Sequence, residues 1–385
     1  YSYQYMITQS NQEAHYNDGQ KENISLPSGL ANQLKHLYGP DARIVAQAPV
    51  GGGDINEAYH LVLQDGRDLF LKVHANVAAD FFTAEASGLA ALRQAGLPVP
   101  EVLGCGRNYL LLSYVKSARK SRDYWQQLGY ALAKLHHSDP TAFTCGHRFG
   151  FTQDNYAGST RQHNRPSDSW IDFFRTQRLQ PFLKLCWSYF SSEEKRLAEQ
   201  LLAHLEDRLI EPDFPSLLHG DLWCGNVMTG PAGEPIFIDP SVSVGFREVD
   251  IAKTELFGGF TGEFYDAYQE ACPLDPSYPE RRDLYNLYPL LNHLHLFGNA
   301  YHTAVTRILR HYADSLADIS RSWYNQSIGK PAGRIAGCSF NLQLKTTAFQ
   351  LFAPPFAEKG QPAPPVYPVY RRSWLFFYVV KDMLL

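Results

Sequence analysis

Two short stretches, His219-Gly220-Asp221-Leu222-Trp223-Cys224-Gly225-Asn226 and Ile236-Phe237-Ile238-Asp239-Pro240, constrain this chain more than any others. Asp221 and Asn226 lie five apart in a short loop that follows an apolar run, Phe214 to Leu218. Asp239 closes a second apolar run, which reads as a buried strand. Two carboxylates and an amide are thereby set at fixed spacings beside strand ends. Phosphoryl transfer asks for such a set: a carboxylate to accept the nucleophile's proton, and oxygen donors to hold Mg²⁺ on the phosphates of ATP.

The chain before residue 116 supplies the other half of such a site. Residues 43–75 read as three strands in a meander, Arg43–Pro49, Ala58–Leu63 and Asp68–Val73, with Gln64-Asp65-Gly66-Arg67 as a hairpin turn. Gly51, Gly52, Gly53, Asp54, Ile55 and Asn56 join the first two. Glycines let backbone N–H groups approach a phosphate closely, although the same run also suits a plain flexible hairpin. Lys72 lies inside the apolar strand Leu69-Phe70-Leu71-Lys72-Val73, where a lysine either snorkels at an edge or meets an anion. Glu85 follows in a helical run, Ala79–Gln94, either as a solvated face residue or as the partner of Lys72. Glu101–Gly104 and Tyr109–Val115 complete a five-stranded antiparallel sheet with one long helix. Ser113, Tyr114 and Val115 then lead into a hinge (Tyr114–Ser117) that offers backbone groups to an adenine edge. In protein kinases a Gly-rich turn, strand Lys, helix Glu, H-R-D-x-x-x-x-N and D-F-G occur in this order. Here the loop reads H-G-D-x-x-x-x-N, and Pro240 follows Asp239.

From about residue 121 the period turns helical: Tyr124–His137, Trp170–Leu185, Glu193–Leu209, Val249–Phe257, Glu263–Cys272 and Glu280–Tyr312, with a polar loop over 147–165. His136 and His137 are neighbours on a helix and point different ways, so they read as a helix end and not as metal ligands. The expected fold class is α+β: a bilobal, protein kinase-like fold with a five-stranded antiparallel sheet plus helix in the N-lobe and a mainly α-helical C-lobe. The expected organisation is a disordered segment over 1–24, an N-lobe over 25–116, a C-lobe over 117–313, and an atypical Pro- and aromatic-containing tail over 314–385.

A net charge of −4 with a pI near 6.4 gives no basic footprint, which argues against a nucleic-acid partner. Six scattered cysteines with no C-x-x-C pair suit reduced thiols in the cytoplasm. The sequence has no apolar run of the roughly 18 residues that a membrane span needs.

The residues taken together resemble the fructosamine/ketosamine kinases, small-molecule relatives of the aminoglycoside and choline kinases. Leu218 to Asn226 is similar to that family's H-G-D-L-W-x-G-N. Phe149-Gly150-Phe151 through Asn155, Gly158, Asn164, Trp170 and Phe174 to Arg178-Leu179 looks like its loop and following helix. Arg247 to Ala252, Phe257-Gly258-Gly259-Phe260, Leu291-Asn292-His293 and Phe297-Gly298 look like its C-lobe motifs. The resemblance covers roughly residues 28–312. It implies ATP-dependent phosphorylation of the 3-hydroxyl of a ketosamine, on a free amine or a glycated protein lysine, after which the adduct becomes unstable and the amine is regenerated. Carried over by position, Asp221 would be the base facing the sugar hydroxyl, and Asn226 and Asp239 would hold Mg²⁺. Lys72, held by Glu85, would contact the phosphates of ATP beneath Gly51–Gly53. Trp223 would wall the sugar site, and His219 would orient the loop without transferring protons. Asp54 stands where many members have Cys, and Ser113 where an acidic residue is common. Ser241-Val242-Ser243-Val244-Gly245 replaces an aromatic-containing stretch. Two other readings stay open: another small-molecule kinase of the aminoglycoside, choline or homoserine type, and a catalytically weak pseudokinase that binds without turnover.

Overall fold

Alternation along one strand sets the two faces of the small lobe. In the computed structural model, which describes residues 26–51 and 56–313, helix α1 (Leu30–Tyr38) precedes strands β1 (Ile44–Pro49), β2 (Glu57–Leu63) and β3 (Asp68–Val73). Helix α2 (Phe81–Gln94) and strands β4 (Val102–Gly106) and β5 (Tyr109–Ser113) follow. The five strands form an antiparallel sheet of order β1-β2-β3-β5-β4. Leu69 and Leu71 pack on one face with Leu61, Leu63, Leu111 and the α1 residues Leu30 and Leu34. Phe70 and Lys72 point the other way, as successive strand residues must. Phe70 packs against a core shared by Phe82, Leu89 and Leu92 of α2 and by the large lobe. The expected segment 1–24, Gly52, Gly53 and Asp54, and the tail 314–385 lie outside the described residues.

The large lobe is mainly helical: α3 (Tyr124–His136), α4 (Trp170–Phe173), α5 (Gln180–Leu185), α6 (Ser192–Ala203), α7 (Glu248–Phe257), α8 (Gly262–Ala271) and α9 (Tyr278–Phe297). Residues 302–313 are also helical. Three short antiparallel pairs punctuate it: β6 (Asn155–Ala157) with β7 (Thr160–Gln162), β9 (Val227–Thr229) with β10 (Pro235–Phe237), and β8 (Ser216–Leu218) with β11 (Ser243–Gly245). Trp170 is its aromatic centre, ringed by Phe149, Phe173, Phe174, Phe246 and Tyr285.

Four expectations are corrected here. The loop expected over 147–165 contains the β6–β7 hairpin. The helix expected over Trp170–Leu185 widens into a π-helical turn at Phe174–Leu179. Pro181 has no N–H to give the carbonyl of Gln177, and that oxygen accepts instead from the guanidinium of Arg178 at 3.1 Å. The helix expected over Glu193–Leu209 stops at Ala203 and ends in a short 3₁₀ turn, Leu205–Asp207. The single run expected over Glu280–Tyr312 breaks at Gly298, whose φ of 78° an ordinary residue rarely adopts.

Helices α3 and α8 cross closely because Gly129 has no side chain. A Cβ there would sit 2.5 Å from the carbonyl oxygen of Phe264 and 3.0 Å from the backbone nitrogen of Tyr268. Alanine in a helix interior gains about 1 kcal/mol of propensity over glycine. The clash is with backbone, which cannot swing away, and overpacking costs about 1–3 kcal/mol. Gly129→Ala is therefore expected to lower stability by up to about 2 kcal/mol, measured by urea denaturation; a stabilised variant would show that the helices part freely.

Candidate active site

Lys72 is the point where the lobes meet chemically. Its Nζ donates to Oε1 of Glu85 on α2 at 2.7 Å and to Oδ1 of Asp239 from the large lobe at 2.5 Å. Burial works against the ammonium charge, but Asp239 and Glu85 together outweigh it and hold Lys72 above the ordinary lysine value. Glu85 is pushed up, chiefly by burial. The strand lysine is thus an ion-paired group in a cleft and not an edge residue reaching for water.

The loop carrying Asp221 hangs from one buried carboxylate. Asp250 on α7 accepts from the backbone N–H of His219 at 2.7 Å and of Gly220 at 2.9 Å. His136, at the end of α3, places its Nε2 3.2 Å from the same carboxylate and its Nδ1 2.8 Å from the hydroxyl of Tyr268. A carboxylate only accepts, so Nε2 carries the proton and Nδ1 accepts from the tyrosine. Burial alone would raise the Asp250 carboxyl; its hydrogen bonds, led by that from His136, bring it below the ordinary value. Gly220 has φ of 79°, and a Cβ there would strike the carbonyl oxygen of Ser241.

His219 is fully buried and neutral, its imidazole pushed down first by burial. Its Nε2 donates to the carbonyl of Ile238 at 3.0 Å and its Nδ1 accepts the N–H of Asp221 at 3.3 Å. Both ring nitrogens are spent on backbone, so His219 joins the Asp221 loop to the Asp239 strand and has no nitrogen left to shuttle a proton.

Asn226 spends its amide nitrogen on the carbonyl of Asp221 (2.8 Å), Oδ2 of Asp221 (3.2 Å) and the carbonyl of Asp239 (3.4 Å). That leaves its amide oxygen unspent among the described residues, as is the second oxygen of Asp239. Asp239 has φ of 53°, a left-handed conformation that costs a non-glycine residue and is kept only where its surroundings impose it. Two hard oxygen donors beside a cleft suit Mg²⁺, which typically takes one or two protein oxygens and completes its shell with water and phosphate.

Trp223 is 38% exposed beside Asp221, and Gly225 leaves room for its indole, which a Cβ there would strike. Phe257 lies edge-on to Trp223 at 6.4 Å between ring centroids, and His293, Phe297 and Tyr301 continue the aromatic rim. Ser113 accepts the N–H of Glu101 through its hydroxyl at 2.8 Å, and Tyr114 stacks on His60 at 4.0 Å, with half-buried Val115 next. Gly51 and Asn56 border the undescribed part of the Gly-rich turn.

The sequence profile described as fructosamine kinase matches residues 28–315, which is most of the chain. The chain belongs to the fructosamine kinase family. A probable ketoamine kinase of Enterococcus faecium is 39% identical over 274 residues, covering 69% of this chain and 94% of that protein. A protein-ribulosamine 3-kinase, chloroplastic, of Oryza sativa subsp. japonica is 33% identical over 285 residues, covering 71% of this chain and 80% of that protein. The crystal structure of a candidate fructosamine-3-kinase of Thermobifida fusca superposes with a TM-score of 0.65 at 32% identity, covering 74% of this chain and 98% of that one.

Against this family background, the β6–β7 hairpin is the part of the site that sequence reasoning missed. The hydroxyl of Tyr156 donates to Oδ1 of Asp80 at 2.7 Å, and the guanidinium of Arg161 reaches Oδ2 of Asp80 at 3.1 Å. Asp80 is the residue before α2, the helix that carries Glu85. The other side of the hairpin holds the chain just after Asp239. Asn155 donates to the carbonyl of Val242 at 2.7 Å, Gln162 to the carbonyl of Ser241 at 3.3 Å, and the Ser241 hydroxyl to the carbonyl of Tyr156 at 2.6 Å. The segment that departs from the family pattern is therefore buried against this hairpin. The sequence signal was Asn155, Gln162 and Asn164, polar residues whose burial only a tertiary network explains. Asp250, and Lys253 of α7, whose Nζ ion-pairs with Oδ1 of Asp221, were also missed as site residues.

Asp250→Asn keeps the shape but sets an amide against backbone donors. It is expected to cost about 3 kcal/mol, the scale of breaking a buried charged network. Urea denaturation at neutral pH checks this; a loss below about 1 kcal/mol would mean the loop does not hang from Asp250.

Proposed function

We propose that this protein is an ATP-dependent ketosamine 3-kinase, acting on ribulosamine or fructosamine adducts of lysine side chains or free amines. One observation carries the reading: a buried lysine tied to a carboxylate from each lobe, and a loop aspartate five residues before an asparagine, lie in one cleft of a fructosamine kinase family member. The names of the relatives, ketoamine kinase and ribulosamine 3-kinase, support the acceptor and the position of transfer.

Lys72 binds the α- and β-phosphates, and Glu85 keeps it in place. Asn226 and Asp239 would hold Mg²⁺, which when bound neutralises charge on the phosphates. Asp221 accepts the proton of the acceptor hydroxyl as that oxygen attacks the γ-phosphorus. Trp223 and Phe257 stack against the sugar and the alkyl stem of the amine. The cation of a ketosamine nitrogen suits such a rim, because aromatic faces attract cations. The free thiols of Cys105, Cys145, Cys186, Cys224 and Cys272 suit work in the reducing cytoplasm. Most of the catalysis is positioning and electrostatics, as in other phosphoryl transfers.

³¹P NMR of products from ribulosyl-, erythrulosyl- and fructosyl-lysine with Mg²⁺–ATP tests the reading. A phosphomonoester on the 3-oxygen of one of these, with none on aminoglycosides or choline, is expected; the reverse pattern rejects it. Asp221→Asn is expected to lower kcat by about 10²–10⁴-fold while Mg²⁺–ATP binding by calorimetry stays near wild type. Near-normal turnover would remove Asp221 as the base. Trp223→Ala should raise KM for the ketosamine about tenfold or more and leave KM for ATP nearly unchanged, the signature of lost acceptor binding.

A further inference from the structure

Helix α7 brings a second charge to Asp221. Lys253 is 7% exposed, and its Nζ ion-pairs with Oδ1 of Asp221. Among the described residues no other carboxylate pairs with it. The other oxygen of Asp221 takes the Asn226 amide. Burial first, and after it the positive charge of Lys253, oppose protonation of the imidazoles of His219 and His293. Its helix neighbours Ile251 and Ala252 are buried apolar residues. A buried ammonium is costly to fold around, and an apolar side chain of similar length would fill the space more cheaply. Its placement calls for an explanation in the chemistry of the cleft.

Resting on the reading of Asp221 as the base, we propose that Lys253 is a catalytic cation that exchanges ion-pair partners during transfer. Before transfer it is ion-paired with Asp221. A hydroxyl hydrogen-bonded to Oδ1, the oxygen that takes the ammonium, lies within two hydrogen-bond lengths, about 5.5 Å, of Lys253 Nζ. During transfer the acceptor oxygen forms a bond to the γ-phosphorus. The bond from that phosphorus to its bridging oxygen breaks, and ADP leaves with the electron pair. The acceptor's proton passes to Asp221. The carboxyl is then neutral, and Lys253 has lost its counter-charge at the moment when a phosphate ester forms on the oxygen that gave up the proton. Lys253 turns to that phosphate. The phosphate ester carries a charge of about −2 where the carboxylate it replaces carries −1, so the cation is better satisfied late in the reaction than early, which is the condition for an interaction to accelerate a step.

Full-length wild type, Lys253→Met and Lys253→Ala, assayed with the ketosamine panel and Mg²⁺–ATP, test the exchange. Lys253→Met is expected to lose about 10–100-fold in kcat. Its Mg²⁺–ATP dissociation constant and KM for ATP should stay within about threefold of wild type, with a normal cooperative melt. Ethylammonium should restore kcat of Lys253→Ala about fivefold or more, and should do nothing for Lys253→Met, whose side chain fills the space. The proposal is overturned if Lys253→Met keeps kcat within about twofold of wild type. It is also overturned if nucleotide affinity falls in step with kcat, which marks a structural role, or if the amine gives no rescue. A wild type inert toward every ketosamine would instead remove the functional reading beneath it.

Discussion

One ammonium sits between two carboxylates that arrive from opposite lobes, and the site depends on it. Lys72 satisfies Glu85 and Asp239 at once, so its position fixes the distance between α2 and the strand end that carries Asp239. Two acids share one base, which leaves a surplus of negative charge. Glu85 lies deeper, where burial first and the charge of Asp239 after it raise its proton affinity. Asp239 is the more open of the two, with its side chain 45% exposed and one of its oxygens bonded to the lysine. The surplus is therefore presented where a cation and the phosphates it carries would enter.

Helix α7 organises the other half. Asp250 in its first turn fixes the backbone of the Asp221 loop, and Lys253, three residues on, meets the side chain of Asp221. Residues three apart share a helix face, so one face of α7 supplies both an anion for the loop's N–H groups and a cation for its carboxylate. The loop is held in opposite electrical senses from the same side, and both Asp250 and Lys253 are buried where solvent screens them little.

What could be read from the sequence follows from the range of the interactions. The sheet and α2 were legible because strand alternation and helical spacing are local. Lys72 and Glu85 were legible because a charge inside an apolar strand and an acid on the following helix form a pattern over short separations. Asp221, Asn226 and Asp239 stood out through their spacing. Lys253 sits in Ala252-Lys253-Thr254, which by itself looks like any helical surface; only the fold of α7 against the loop buries it. Asp250 belonged to a recognised motif, but its task is to receive two N–H groups 30 and 31 residues away in sequence. The β6–β7 strands are three residues each, too short for a period to register. The break at Gly298 lay within a run whose apolar spacing continues on both sides.

The hairpin has a consequence for motion. It touches the small lobe at Asp80 and the large lobe through Val242, so opening the cleft must strain or slip one of these contacts. They differ in kind. The Arg161–Asp80 pair is nearly half exposed on both sides, and dissolved ions weaken such a contact readily. The bonds from Asn155 to the Val242 carbonyl and from Gln162 to the Ser241 carbonyl are buried and keep their strength. The contact with α2 also includes the Tyr156 hydroxyl on Asp80 and the Tyr156 ring 4.8 Å from that of Phe81, so only its Arg161 part lies open to dissolved ions. Salt therefore loosens one strand of the bridge between the lobes and leaves the tyrosine strand and the buried amide bonds in place.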